Sequence, residues 1–200
     1  MFRRLMILAV LAALFAVLAE AALGVNVKVR VEGKTQTIYG AAEPTIGTTG
    51  AFALDTLEAA SSRGEFYYHV TQFSFGPFVD QIGRYKAEGS DGWTFKVNGV
   101  SPQVGADKVA VKDGDVVLWY WASFGPTGGP ATLVLRRTTK KNCYAVTAQD
   151  DTGRAQAATG AVLLVDGKRR STRSGRACIG RHGGLVRATR TGAVRSNALR

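Results

Sequence analysis

The aromatic side chains between residues 73 and 124 come in groups that could hold something. Phe73, Phe75 and Phe78 surround Gly76-Pro77, Trp93 stands alone, and Trp119, Tyr120, Trp121 and Phe124 crowd a single stretch. Large rings with a flat apolar face bind by stacking and burial, so exposed ones beside a Gly-Pro loop suit a flat or amphipathic ligand, a sugar ring or a partner protein. On a strand, Trp119 and Trp121 point away from Tyr120, so a core on one side cannot bury all three. The candidate binding residues are therefore Phe75, Phe78, Trp93, Trp119, Tyr120, Trp121 and Phe124. Of these, Trp93 fits a core position better than an exposed one.

Other chemistry is sparse. His69 and His182 are the chain's two histidines, and no Gly-x-Ser-x-Gly elbow, His-Glu-x-x-His helix or glycine-rich phosphate loop is present. A Ser/His/Asp site assembled across space stays open, but the expectation is a non-catalytic protein with no catalytic residues. Asp107, Asp113 and Asp115 match no calcium-loop spacing, and Asp-Gly-Asp before a strand is ordinary turn chemistry; no metal site is expected.

The elements that must position the aromatics follow from periodicity. Val25, Val27, Val29 and Val31 alternate with Asn26, Lys28, Arg30 and Glu32, which predicts a strand with one apolar and one wet side. Gly33-Lys34 turns it into a second strand, Thr35 to Tyr39. A helix is expected over residues 51–61, with Leu54, Leu57 and Ser61 on one face, a threonine as N-cap and Gly64 ending it. Strands follow at 65–71, 78–82 and 93–97, the last running into Asn98-Gly99, a strong type I′ hairpin signal. Asp113-Gly114-Asp115 then turns into a final strand through Trp121.

Charge divides the chain. From Ala22 to Pro130 there are nine Lys/Arg against eleven Asp/Glu; from Ala131 to Arg200 there are fifteen against three. Gly125 to Pro130 holds two prolines and three glycines, so the expected organisation is a first domain at 22–124, a Gly/Pro linker at 125–130 and a basic domain at 131–200. In the latter, strands at 131–135, 144–148, 161–165 and 185–189 alternate with turns, which predicts a small β-sandwich. Lys168-Arg169-Arg170, Arg173, Arg176, Arg181, Arg187, Arg190 and Arg195 imply a basic surface.

Residues 1–21 read as a secretory signal: Arg3-Arg4, an apolar run from Leu5 to Ala19, then Ala19-Glu20-Ala21. The run is shorter than the roughly 20 residues of a spanning helix, so cleavage is expected, with an uncleaved anchor holding the chain at the outer face of the membrane as the alternative. Secretion into an oxidising compartment makes the even pair Cys143 and Cys178 most simply a disulfide, with two buried thiols as the alternative. Closing that loop would stabilise the fold by roughly 4 kcal/mol. Outside the cell the anions matching a basic surface are envelope polymers rather than nucleic acid.

Gly92-Trp93-Thr94-Phe95-Lys96-Val97-Asn98-Gly99, Pro102, Gly105-Ala106-Asp107 and Lys112-Asp113-Gly114-Asp115-Val116-Val117-Leu118-Trp119 together resemble the transcobalamin-like C-terminal domain family, over roughly residues 25 to 124. Bacterial members are largely domains of unknown function, and in animal relatives the domain closes over vitamin B12 held on a helical barrel. This chain has no such barrel. Residues 131–200 resemble bacterial immunoglobulin-like or carboxypeptidase-regulatory-like modules, in which Cys143 and Cys178 would lie on facing strands. The order of elements itself describes an α+β fold: a β-grasp-like domain (hairpin, one helix, further strands) followed by a small all-β sandwich. The function expected is a secreted, non-catalytic binding or adhesion protein for a small ligand or a surface protein, with no obligate cofactor. A carrier of cobalamin or a related corrinoid is the alternative, and a secreted hydrolase a third.

Overall fold

A computed structural model describes residues 24–126 and 128–200; the expected signal segment at 1–21 lies outside them. In the first unit β1 (Asn26–Glu32) is followed by β2 (Thr37–Tyr39), β3 (Thr45–Gly47), α1 (Ala53–Gly64), β4 (Tyr68–Phe73), β5 (Gly76–Ile82), β6 (Tyr85–Lys86), β7 (Asp91–Val97) and β8 (Val116–Ser123). The main sheet runs β2-β1-β8-β7, with β3 also on β1, and β4-β5-β6 form a separate sheet. β1 and β8 are parallel; the other pairs are antiparallel.

The chain is mostly β, with α1 the one helix among the described residues and strands in four sheets. That corrects the expected α+β, β-grasp-like class. The signals for strands and turns outnumber the single helical stripe, and the β4-β5-β6 sheet forms apart from the main one.

Local differences have local causes. The N-cap of α1 is Phe52 rather than a threonine: Thr48 is occupied with the Val25 and Gly50 carbonyls, and Asp55 reaches back to accept the Phe52 N–H at 2.9 Å. That is half of a capping box. The helix runs through Gly64 and ends at Glu65, whose φ of 50° is left-handed. Its buried face is Ala53, Thr56, Leu57 and Ala60, displaced from the Leu54, Leu57, Ser61 stripe expected. Asn98 and Gly99 both take the positive φ of a type I′ turn, yet the turn closes only the Val97–Val100 bridge. β7 pairs instead with β8, and the Asn98 side chain ties their ends by accepting the Val116 N–H and donating to Asp115.

The second unit holds β9 (Ala131–Arg137), β10 (Cys143–Gln149), β11 (Ala155–Ala157), β12 (Val162–Val165), β13 (Lys168–Ser171), β14 (Arg176–Cys178), β15 (Val186–Thr189), β16 (Ala193–Val194) and β17 (Ala198–Leu199). One sheet is β11-β10-β9-β16 with β14 on β10; the other is β13-β12-β15-β17. Leu133, Leu135, Tyr144 and Val146 from the first share a core with Leu163, Val165, Val186 and Ala188 from the second. Cys143 and Cys178 are paired across β10 and β14 and form a disulfide.

The two units are docked, which changes the meaning of the wet face of β1. Only Asn26 and Lys28 of that face are exposed; Arg30 and Glu32 are buried. The Glu32 carboxylate, 1% exposed, pairs with Arg30 of its own strand, with Arg187 of β15, and with Arg195 at 3.0 Å. Arg30 also pairs with Glu43 at 3.1 Å. Arg187 and Arg195 are thus spent on the interface rather than on the basic surface expected of them. On β7, Lys96 is fully buried and donates to the Asp150 carbonyl at 2.7 Å, with the Asp151 carboxylate 3.4 Å away. Burial pushes the Lys96 ammonium below the usual lysine range, and Asp151 opposes that shift.

Candidate functional site

The β4–β5 hairpin presents its aromatics through its turn. Phe73 and Gly76 pair across Ser74-Phe75, and Gly76 sits at φ 123°, a conformation that favours glycine. The Phe73 and Phe75 rings stack with centroids 5.1 Å apart, and Phe78 meets Phe73 edge-on at 6.2 Å. All three are exposed, Phe75 by 67%. The Asp107 carboxylate lies against Gly76, and its buried Oδ1 has no hydrogen-bond donor among the described residues.

Beside the hairpin runs a groove of about 490 Å³ lined by Phe78, Trp93, Phe124 and the 87–92 loop. Trp93 is a fixed floor: its residue is 4% exposed and its Nε1–H donates to the Tyr85 carbonyl at 2.9 Å. Phe124 is 43% exposed, but its backbone N–H donates to the Ser90 carbonyl at 2.9 Å and its ring lies close over Gly129. Behind Trp93, Trp121 packs edge-on at 5.6 Å and Tyr85 closes on Trp121 at 5.9 Å. Among the described residues the buried Trp121 Nε1–H has no acceptor. Trp121 also walls a second groove of about 450 Å³ between the units, with Lys34 and Arg195. Arg195 is already committed there, to Glu32 and to the Gly33 and Lys34 carbonyls.

Of the residues singled out from sequence, the structure brings Phe78, Trp93 and Phe124 to one groove, places Phe75 on the neighbouring tip and sets Trp121 behind the floor. It does not bring Trp119 or Tyr120 there. Trp119 is 2% exposed, stacks on Phe95 at 5.0 Å and donates to Thr56 of α1. Tyr120 is 1% exposed and lies with Leu118, Ala122 and Val194 in a small core between the units. Burial pushes its phenol up to about 12. Trp119 thus faces the first unit's own core, and Tyr120 departs from the exposed-platform expectation because the second unit supplies a core on its face of β8. The Glu88–Asp91 loop, whose Ser90 carbonyl anchors Phe124, carries no motif that would have flagged it.

The remaining candidates are structural. Asp113 accepts the Asn26 N–H at 2.7 Å, and Asp115 accepts from Asn98 and the Lys112 N–H. Among the described residues no three His, Cys, Asp or Glu side chains are grouped to hold a metal ion. His69 Nδ1 lies 2.7 Å from Asp80, which also accepts from Thr71. Burial raises the Asp80 carboxyl, but these two hydrogen bonds outweigh it and hold it below the usual range. His182 meets Tyr144 at 2.9 Å in the other unit.

Fold and site describe two docked, mostly β units with an open aromatic groove on the first. Residues 50–123 match the model of a family described as a domain of unknown function (DUF4430). No curated protein matches the chain. Among solved structures, part of the chain is similar to haptocorrin, crystallised in complex with Cbi, at 18% identity and a TM-score of 0.45, covering 52% of this chain and 26% of haptocorrin. It is also similar to a protein described as a candidate metal-binding protein from Ruminococcus gnavus ATCC 29149, at 19% identity and a TM-score of 0.40, covering 50% of this chain and 99% of that one. The chain thus spans about a quarter of the haptocorrin chain.

Proposed function

We propose that this protein is a secreted, non-catalytic binding module whose aromatic groove takes a small ligand with a flat apolar face. One observation carries the reading: Phe78 and Phe124 stand exposed over a rigid Trp93 floor in a groove of about 490 Å³. That volume falls in the range of roughly 300–1,000 Å³ typical of small-molecule sites. Stacking on a pre-fixed floor loses little side-chain entropy, so buried apolar area converts efficiently to affinity. The signal-like sequence of residues 1–21 and the Cys143–Cys178 disulfide support action in an oxidising compartment.

The transcobalamin-like resemblance of residues 25 to 124 supports the corrinoid-carrier alternative. An open groove on one unit would cover one face of such a macrocycle and leave the other to solvent. Titration with 1-anilinonaphthalene-8-sulfonate, cobinamide and cobalamin, following tryptophan fluorescence, separates the readings. Saturable quenching by the flat dye, weakened about tenfold in Phe124→Ala and in Phe78→Ala, supports the groove. Tight saturation by either corrinoid at micromolar concentration promotes the carrier. No quenching by any probe, or quenching that both variants leave intact, overturns the site.

A further inference from the structure

The second unit carries fifteen cationic side chains and three acidic ones, and the structure shows where each acid goes. Asp150 accepts from Thr152 and the Arg154 N–H in its own turn. Asp151 faces Lys96 and Ser101 of the first unit. Asp166 accepts from the Gly183 N–H. None is left to neutralise the opposite end of the unit, around the disulfide.

Two grooves flank that disulfide. One of about 310 Å³ is lined by Arg137, Lys140, Lys141 and His182; the other, of about 560 Å³, by Lys140, Arg173, Ser174 and Arg176. They share Thr138, Lys140, Cys143 and Tyr144, so they adjoin as a track around the disulfide, and among the described residues neither has an acidic side chain in its lining. Among the described residues, no ion pair involves Arg137, Lys140, Lys141, Arg173 or Arg176.

The arrangement costs stability, which is the argument that it serves a ligand. Arg173 and Arg176 face each other across the Ser174-Gly175 turn, and like charges directly opposite on paired strands destabilise them. On the same sheet Ala145 separates Arg136 from Arg176, with Ala145 paired to both. Neighbouring strands lie about 4.8 Å apart, so cations recur at roughly 5 to 10 Å across the face. The disulfide between β10 and β14 holds this spacing fixed.

We infer that the track around Cys143–Cys178 binds a linear anionic polysaccharide, one anionic group on each sugar repeat pairing with successive cations. Among the described residues no exposed large apolar side chain lines the track, so nothing there would insert into a bilayer. Tyr144 is 2% exposed and the partly buried His182 ring is tied to its hydroxyl at 2.9 Å, so the track lacks the row of exposed aromatic rings on which successive nucleic-acid bases stack. The site is separate from the aromatic groove, and its test does not depend on that ligand.

The experiment is a titration of the oxidised protein with polygalacturonate, alongside neutral dextran, oligothymidylate and phosphatidylglycerol vesicles. Saturable binding to polygalacturonate that falls at least tenfold in Lys140→Gln/Arg176→Gln is expected, with less than a twofold change in Lys168→Gln/Arg170→Gln. The second pair removes the same charge from β13, which is exposed but outside the track. Equal losses in the two double variants would reduce the effect to net charge and overturn the site. So would tighter binding to oligothymidylate or vesicles, or no binding to polygalacturonate.

Discussion

Tyr120 on β8 and Phe75 on the β4–β5 tip are both large rings on strand-rich segments, yet one is 1% exposed and the other 67%. Their own sequences do not account for the contrast. Tyr120 has a second unit laid over its face, with Val194 against it; Phe75 extends on the hairpin turn, its ring stacked on Phe73, which is itself exposed. Exposure of an aromatic is therefore set by what the rest of the chain delivers to its face. Alternation along the strand says only which face that is.

The strongest way to break the contrast is to loosen the cover. In Glu32→Gln the carboxylate joining Arg30, Arg187 and Arg195 is lost; Arg30 keeps Glu43, but the largely buried Arg187 and Arg195 lose the one ionic partner they have among the described residues. Removing one partner of a buried pair costs about 3–5 kcal/mol, so chemical denaturation should show a loss of that order. A change under about 0.5 kcal/mol, the scale of an ordinary surface substitution, would mean the units are tethered rather than docked.

A smaller effect tests the two rings directly. Tyr120→Ala should destabilise by about 3 kcal/mol, as truncation of a core aromatic does, while Phe75→Ala should stay within about 0.5 kcal/mol. Thermal unfolding of the pair measures both, and equal shifts would erase the distinction.

The smallest effect is a titration. Tyr120, pushed up to about 12 by burial, keeps its proton while an unfolded tyrosine loses it near pH 10. Below pH 10 both states hold the proton and its contribution to stability is complete. As pH rises from about 10 to 12 the unfolded chain ionises first, and that contribution is lost. Tyr68, raised to about 12 by partial burial and its bond to Glu58, behaves alike. Phenolate absorbance should therefore show a late component that Tyr120→Phe reduces; an unchanged late component would place Tyr120 in water.

What could be seen in the sequence follows the same division. The valine alternation of β1, the single helix and the paired cysteines needed only local pattern or residue inventory. The Asn98-Gly99 turn also formed, but what followed it did not, because Val116 to Ser123 offers β7 a longer apolar partner than residues 100 to 104 do. Arg30 and Glu32 read as part of a wet strand face for want of any local sign that groups more than 150 residues away would cover it. In the groove, Trp93 and Phe124 could be named but not joined, since the Ser90 carbonyl that fixes Phe124 belongs to a loop with no distinguishing composition.

Glu32 belongs to the first strand of the described chain, and the arginines that neutralise it lie 155 and 163 residues later. Contacts of such separation form late, because the chain must close a long loop before they yield any free energy. Until then the outer face of β8, with Leu118, Tyr120 and Ala122, is an uncovered apolar strip beside a buried-type charge. The second unit therefore keeps the first from presenting that strip to other chains.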